Sequence, residues 1–427
     1  SSGQCAADLH APAGAAGRVS AAASTRDLAG WLAHLEGLHP REIELGLDRV
    51  RAVYEAMGQP RPAHQVITVA GTNGKGSSVA FLEAILAAAG RRVGSYTSPH
   101  LWRYNERVRL NGVPVGDAAL CAAFARVEQA RGEISLSYFE FGTLAALDLF
   151  AHADLDVAVL EVGLGGRLDA VNVVDTDIAL VTAIDLDHTD WLGPDRDSIA
   201  REKAGISRAT RPLICADPAP PDGLLQHGLG TPRWCAGSDF GLREAGDGQW
   251  DFYSAAGDWT DLPPPALHGA HQYRNAAGVL AALMQLPAGL RPDRAAVVQG
   301  LRAARLAGRL DHRPGAVTRI FDVAHNPAGA QVLADHLVTV PASGMRRTIL
   351  GILQDKDAGA MIAALAPHTD RWYVPDLPGP RGGRAEWIAN AIQRLAPDAL
   401  IQRFVHPADA YRAAMIDSRP GDRVVVT

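Results

Sequence analysis

Seven residues, Gly71-Thr72-Asn73-Gly74-Lys75-Gly76-Ser77, combine glycines, a lysine and hydroxyls at a spacing that suits phosphate chemistry. The β-branched run before them, Val66-Ile67-Thr68-Val69-Ala70, reads as a buried strand. Ser78 to Ala89 reads as a helix closed by Gly90. Strand, glycine-rich turn and helix together aim several backbone N–H groups and a helix N-terminus at an anion. Lys75 would bring a point charge to the β/γ-phosphates, and the Ser77 hydroxyl could reach Mg²⁺. The strict Walker pattern has glycine where Val69 stands and none between lysine and hydroxyl, so this loop is a variant. A plain glycine turn with a solvated lysine is the alternative. The flanking elements favour a nucleotide site.

Three further polar clusters follow apolar runs. Arg92 to Tyr96 leads into Thr97-Ser98-Pro99-His100, Leu155 to Val162 carries Glu161 at its end, and Ile178 to Ile184 leads into Asp185-Leu186-Asp187-His188. Ligands of open α/β sheets bind beyond the carboxyl ends of the strands. That rule puts Lys75, Ser98, Glu161 and His188 along one crevice. Singly, Ser98 could cap a turn, Glu161 could serve an ion pair and His188 could be a core histidine. Their shared place at strand ends favours a common site.

A chain of 427 residues is too long for one ordinary core, so two domains are expected. With 47% hydrophobic and 21% charged residues, it has the composition of a globular protein. A net charge of −6 argues against a nucleic-acid surface. Cys5, Cys121, Cys215 and Cys235 are scattered without a CxxC pair, which fits a reduced compartment and neither zinc nor a disulfide scaffold. No apolar run approaches the roughly 20 residues of a membrane span. Residues 1–24 read as a disordered Ala/Gly/Ser-rich leader. The absence of an initial methionine and the strand-like Arg423–Thr427 ending suit trimmed termini.

Thr25–Leu35 and the stretch from Ile43 to Val50 have helical spacing. Residues 216–265 are Pro/Gly-rich with weak periodicity, as in a β-rich excursion, and Gln272–Leu286 and Arg294–Ala304 read as helices. A switch near Ala307-Gly308-Arg309 opens a regular alternation. Strands are expected at 317–323, 348–353, 371–374, 400–404 and 423–426, with helices at 328–338, 358–366, 385–395 and 408–416 between them. This is a doubly wound second domain, so the expected boundaries are 25–304 and 305–427.

Eight motifs in order carry a resemblance. They are Gly71–Ser77, Thr97–His100, Arg103–Arg107, Tyr138–Thr143, Glu161–Ala170, Asp187–Gly193, Arg201–Gly205 and Phe321–Pro327. The sequence from about residue 25 onward is similar to the Mur-type ATP-dependent amide ligases. Within these it resembles the folylpolyglutamate synthases, most closely those that are also dihydrofolate synthases. The resemblance implies an N-terminal P-loop-type ATPase domain with a mostly parallel sheet and a smaller Rossmann-like C-terminal domain. It implies ATP-driven addition of L-glutamate to dihydropteroate and reduced folates through an acyl phosphate.

The roles below are those the resemblance implies. Thr72, Asn73, Gly74, Lys75, Gly76 and Ser77 cradle ATP, with Asn275, Arg309 and Asp322 as further nucleotide contacts. Ser98, Glu161 and His188 hold one or two Mg²⁺ ions, and Lys203 is carbamylated by CO₂ to help orient the metal shell. A monovalent cation such as K⁺ is also implied. Lys75 and Arg309 act on the transferring phosphoryl group, and His325 binds or deprotonates the glutamate amine. Ser137, Phe139, Glu140, Arg167 and Asp169 hold the pterin. Ile43, Glu44, Leu45 and Gly46 match the dihydropteroate segment, with Glu44 where an aspartate is usual. Leu353–Asp357 lines the same cleft, and a cytoplasmic monomer without membrane or nucleic-acid partners is expected.

Two competitors remain at this point. A Mur ligase for a UDP-muramyl peptide ordinarily carries an extra N-terminal domain, for which too little sequence precedes the phosphate loop. A P-loop switch would need no second lobe with Arg309, Asp322 and His325 at strand ends.

Overall fold

Strands buried on both faces carry near-continuous apolar runs, and the longest such runs here lie side by side at the centre of one sheet. The computed structural model describes residues 26–40, 44–246, 248–340 and 342–427. The leader expected over 1–24 and the candidate Ile43 lie outside these residues. From edge to edge the first sheet runs Val113–Pro114, Val108–Leu110, Val93–Tyr96, Val157–Glu161, Gln65–Ala70, Ile178–Val181, Leu213–Cys215 and Arg233–Cys235. The last six are parallel, and the first two form an antiparallel hairpin edge.

Alternation along Gln65–Ala70 sends Ile67 and Val69 into one core and Val66 into another. The first core is closed by helices Lys75–Ala88, His271–Leu283 and Arg294–Ala303, and Phe81, Leu82, Ile85 and Leu86 are fully buried there. Each such side chain contributes roughly 1.5–3 kcal/mol of apolar burial. Helices Leu28–Leu38, Asp48–Ala56, Asp117–Arg131 and Tyr138–Ala151 close the opposite face.

The β-rich excursion read at 216–265 is the sheet edge at Arg233–Cys235 plus a three-stranded antiparallel sheet, Phe240–Gly246, Gln249–Ser254 and Trp259–Leu262. That small sheet joins the first core through Phe240, Trp250, Phe252 and Leu262.

After Leu310 the alternation read in the sequence forms a six-stranded sheet in the order Asp311–Arg313, Thr318–Phe321, Arg423–Val426, Arg346–Ile349, Arg371–Pro375 and Leu400–Phe404. All its pairs are parallel except the first, an edge strand the sequence pattern did not show. Its core, including Leu333, Ile362, Trp372 and Ile388, is separate from the other two. Among the described residues no helix is long and apolar enough to cross a membrane.

Candidate active site

The phosphate loop is tighter than its sequence suggested. The helix after it begins at Lys75, three residues before the expected Ser78, because Gly74 already turns the chain in the left-handed region at φ 95°. A Cβ at Gly74 would stand 2.5 Å from Asn275 Oδ1, so only glycine lets this turn lie against the His271–Leu283 helix. Gly74 offers no side-chain cap, which leaves the first-turn N–H groups for an anion. Gln272, which the sequence did not single out, ties this corner together. Its Nε2 donates to Ser77 Oγ at 3.2 Å, and its Oε1 accepts from Asn275 Nδ2 at 3.0 Å.

Two lysines converge on one carbonyl. Lys75 Nζ donates to Gly71 O at 2.9 Å and to Thr72 O at 3.1 Å, and Lys203 Nζ donates to the same Gly71 O at 3.0 Å. Lys203 is buried on helix Arg196–Ala204, where a surface lysine paired with Asp197 or Glu202 was the plain alternative. Among the described residues neither lysine forms an ion pair. Burial, aided for Lys203 by the Lys75 charge, lowers both, and Lys203 falls to about 7. Glu161 lies at the adjacent strand end, where its Oε2 accepts from Ser98 N at 3.2 Å. Burial pushes its carboxyl up, against the pull of Lys75. His188 begins the short helix Thr189–Leu192, and burial takes its imidazole down to about 4, leaving a neutral nitrogen ligand.

The other lobe faces this group. Arg309 lies at the start of that lobe, and Asp322 ends strand Thr318–Phe321 with its carboxylate accepting from Leu310 N at 2.9 Å and Ala324 N at 2.8 Å. The lobes meet at Asp187, a second residue whose role the sequence reading missed. It accepts from Lys356 Nζ at 2.6 Å and Asn326 Nδ2 at 3.2 Å, with His325 Nε2 3.4 Å away. Burial opposes its charge, but hydrogen bonds from His325 and Lys356 outweigh that and hold its carboxyl well below the usual range. Asn326 also caps helix Pro327–Thr339 and donates to Asn73 Oδ1 at 3.2 Å.

One cleft is therefore lined by Thr72 to Ser77, Ser98, Glu161, His188, Lys203, Arg309, Asp322 and His325. Asn275 stands just behind Gly74. Ser98, Glu161 and His188 supply a hydroxyl, a carboxylate and an imidazole, a donor set that fits a hard divalent cation if water and phosphate oxygens complete it. Among the described residues no group of three or more His, Cys, Asp and Glu could hold a metal alone.

The residues expected at the pterin end are not in this lining. Ser137 and Glu140 form a capping box at helix Tyr138–Ala151, with Ser137 N donating to Glu140 Oε2 at 2.7 Å, and Glu140 also accepts from Arg49 at 3.0 Å. Asp169 accepts from Leu164 N at 2.8 Å and Val171 N at 3.0 Å, and burial raises its carboxyl to about 6. Their carboxylates are taken up by local backbone and ion-pair partners, so direct ligand contact would require those bonds to be exchanged. Arg167 is exposed and paired with Glu202 at 2.9 Å. Asp169 and Phe139 touch the cleft lining from behind, Asp169 through Leu164 N. The Phe139 ring packs on Gly163, where an added Cβ would meet Cζ at 2.6 Å, and Gly163 is part of the lining. Glu44 pairs with His39 at 2.8 Å and with Arg49, Leu45 is half-buried, and Gly46 N donates to Leu168 O at 3.2 Å. His39 and Tyr138 line a second cavity that Leu353 and Arg381 close from the other lobe.

Residues 308–427 match the family described as Mur ligase, glutamate ligase domain. The chain is 45% identical to the dihydrofolate synthase/folylpolyglutamate synthase of Escherichia coli over 93% of its own length and 92% of that protein's. It is similar to the solved structure of E. coli FolC in complex with DHPP and ADP, with a TM-score of 0.88, 44% identity and 94% and 95% of the two chains covered. A bifunctional folylpolyglutamate synthase/dihydrofolate synthase of Yersinia pestis, complexed with AMPPNP and Mn ion, gives 0.86, 44%, 94% and 95%.

Proposed function

The chain belongs to the dihydrofolate synthase/folylpolyglutamate synthase family of ATP-dependent ligases, and we propose that it joins L-glutamate to dihydropteroate and to reduced folates. The observation that carries this reading is the meeting of Lys75 and Lys203 on the Gly71 carbonyl, with Arg309 and His325 facing them from the second lobe. Residues 25–304 would bind ATP and the folate, and residues 305–427 would bring the glutamate.

A carboxylate is a poor acyl donor. Its oxygen attacks the γ-phosphorus of ATP, ADP leaves, and an acyl phosphate remains. Lys75, the 72–77 backbone and Arg309 neutralise the charge that develops on the transferring group. Asn275 and Asp322 fix the rest of the nucleotide. Ser98, Glu161 and His188 would hold Mg²⁺, which when bound draws charge from the phosphate oxygens. Lys203, with an amine near neutrality, is suited to bond the carbon of CO₂ and release a proton, and the resulting carbamate would support the metal's water shell. A monovalent cation such as K⁺ would be a further cofactor of this reaction. The glutamate amine then attacks the acyl carbon, phosphate leaves, and His325 binds the amine or takes its proton.

Phe139 would stack on the pterin, with Ser137, Glu140, Arg167 and Asp169 shaping that end and residues 43–46 contacting dihydropteroate. The protein would work as a cytoplasmic monomer on these small molecules, without nucleic-acid or membrane partners. The test is phosphate release from ATP with dihydropteroate, with glutamate, with both and with neither. Release that needs both is expected. Release without either would mark a nucleotide switch, and stimulation only by a UDP-muramyl peptide would mark a cell-wall ligase.

A further inference from the structure

Two of the cysteines scattered in the sequence meet in the fold. Strands Leu213–Cys215 and Arg233–Cys235 pair in parallel at one edge of the large sheet, in a register that sets Cys215 opposite Cys235. Paired strands run roughly 4.8 Å apart, inside the roughly 4.4–6.8 Å Cα separation that a disulfide spans. Paired residues point to the same face, so both side chains project from one side of the sheet edge. Cys215 is fully buried and Cys235 half-buried, so an outside reagent reaches Cys235 first. The neighbouring Cys215 thiol, aided by Arg233 and opposed by burial and Asp239, lowers Cys235, while the Cys235 thiol and burial push Cys215 up. One sulfur is thus suited to attack and its neighbour to resolve.

We propose that Cys215 and Cys235 form a reversible redox site that closes to an intramolecular disulfide on meeting a small disulfide of the glutathione class. The Cys235 thiolate attacks one sulfur of that oxidant, breaks its S–S bond and releases one thiolate. The departing thiolate takes the Cys215 proton. The Cys215 sulfur then attacks Cys235 in the mixed disulfide and expels the second thiolate, which is protonated by solvent. Two protein thiols are oxidised, and one small disulfide is reduced to two thiols.

The test exposes the reduced full-length protein to oxidised glutathione at neutral pH, digests it without reductant and maps the peptides by mass spectrometry. A peptide pair linking Cys215 to Cys235, lighter by two hydrogens and separated by dithiothreitol, is expected, with loss of two free thiols. In Cys215→Ser the link is absent and Cys235 carries one glutathione. In Cys235→Ser, which alters only the half-buried partner, Cys215 stays a free thiol. An unmodified Cys235 in the native chain, a glutathione adduct that never resolves there, or a link from either residue to Cys121 or Cys5 would overturn the proposal.

Discussion

The two ends of the active-site region treat charge in opposite ways. At the phosphate loop Lys75, half-buried, and Lys203, buried, share a backbone carbonyl, and neither forms an ion pair among the described residues. At the proposed folate end Glu44, Arg49 and Glu140 are already paired with one another. The first end holds positive charge at an energetic cost and is ready for an anion. The second has these charges already engaged and must exchange partners to admit a ligand. Preorganisation therefore belongs to the phosphate end.

If that contrast is right, the largest loss comes from Lys75→Ala. Turnover measured as ATP-dependent glutamate incorporation should fall by about 10²–10³-fold, with the circular dichroism spectrum unchanged. A loss under tenfold would mean that the loop backbone does the work alone.

Lys203→Met should sharpen the contrast further. Activity should drop by about 10²-fold, while the free protein gains on the order of 2 kcal/mol in urea denaturation, because an apolar side chain replaces a buried ammonium. The sign with pH is fixed. Lys203 titrates at about 7 in the fold, against an ordinary 10.5, so between those values the unfolded chain binds the extra proton. This group's contribution to stability therefore rises with pH across that window. The variant's advantage is largest below pH 7 and fades above it.

Asp187→Asn tests the seam between the lobes. It strands Lys356, a side chain only 7% exposed, without its counter-charge, and should cost about 3 kcal/mol by denaturant titration. The smallest effect is expected from Glu44→Gln, with the dihydropteroate KM rising less than about tenfold and kcat unchanged. A larger loss there than at Lys75 would invert the comparison.

Much of this was legible in the sequence. The strand ends carrying Lys75, Ser98, Glu161 and His188 were found because buried parallel strands are marked by unbroken apolar runs and end in polar turns. The second lobe followed from its alternation of strand and helix periods. Helix Tyr138–Ala151 did not show itself, since its residues from Glu140 to Phe150 are buried all round and no polar stripe marks the turn of the helix. Gln272, Asp187 and Asn326 escaped because their work depends on partners more than a hundred residues away. The Cys215–Cys235 pair was hidden for a different reason: the two lie near in sequence, but only strand register sets them opposite one another.

Asp187 is held from across the seam by Lys356 and Asn326, with His325 alongside, and these contacts share one carboxylate. Prising the lobes apart by an ångström or two would weaken all of them together while water still could not enter to solvate the lysine. A half-open protein is thus the least comfortable arrangement. The hinge should behave as a catch with two resting positions, and substrate traffic should be paced by how often the catch lets go.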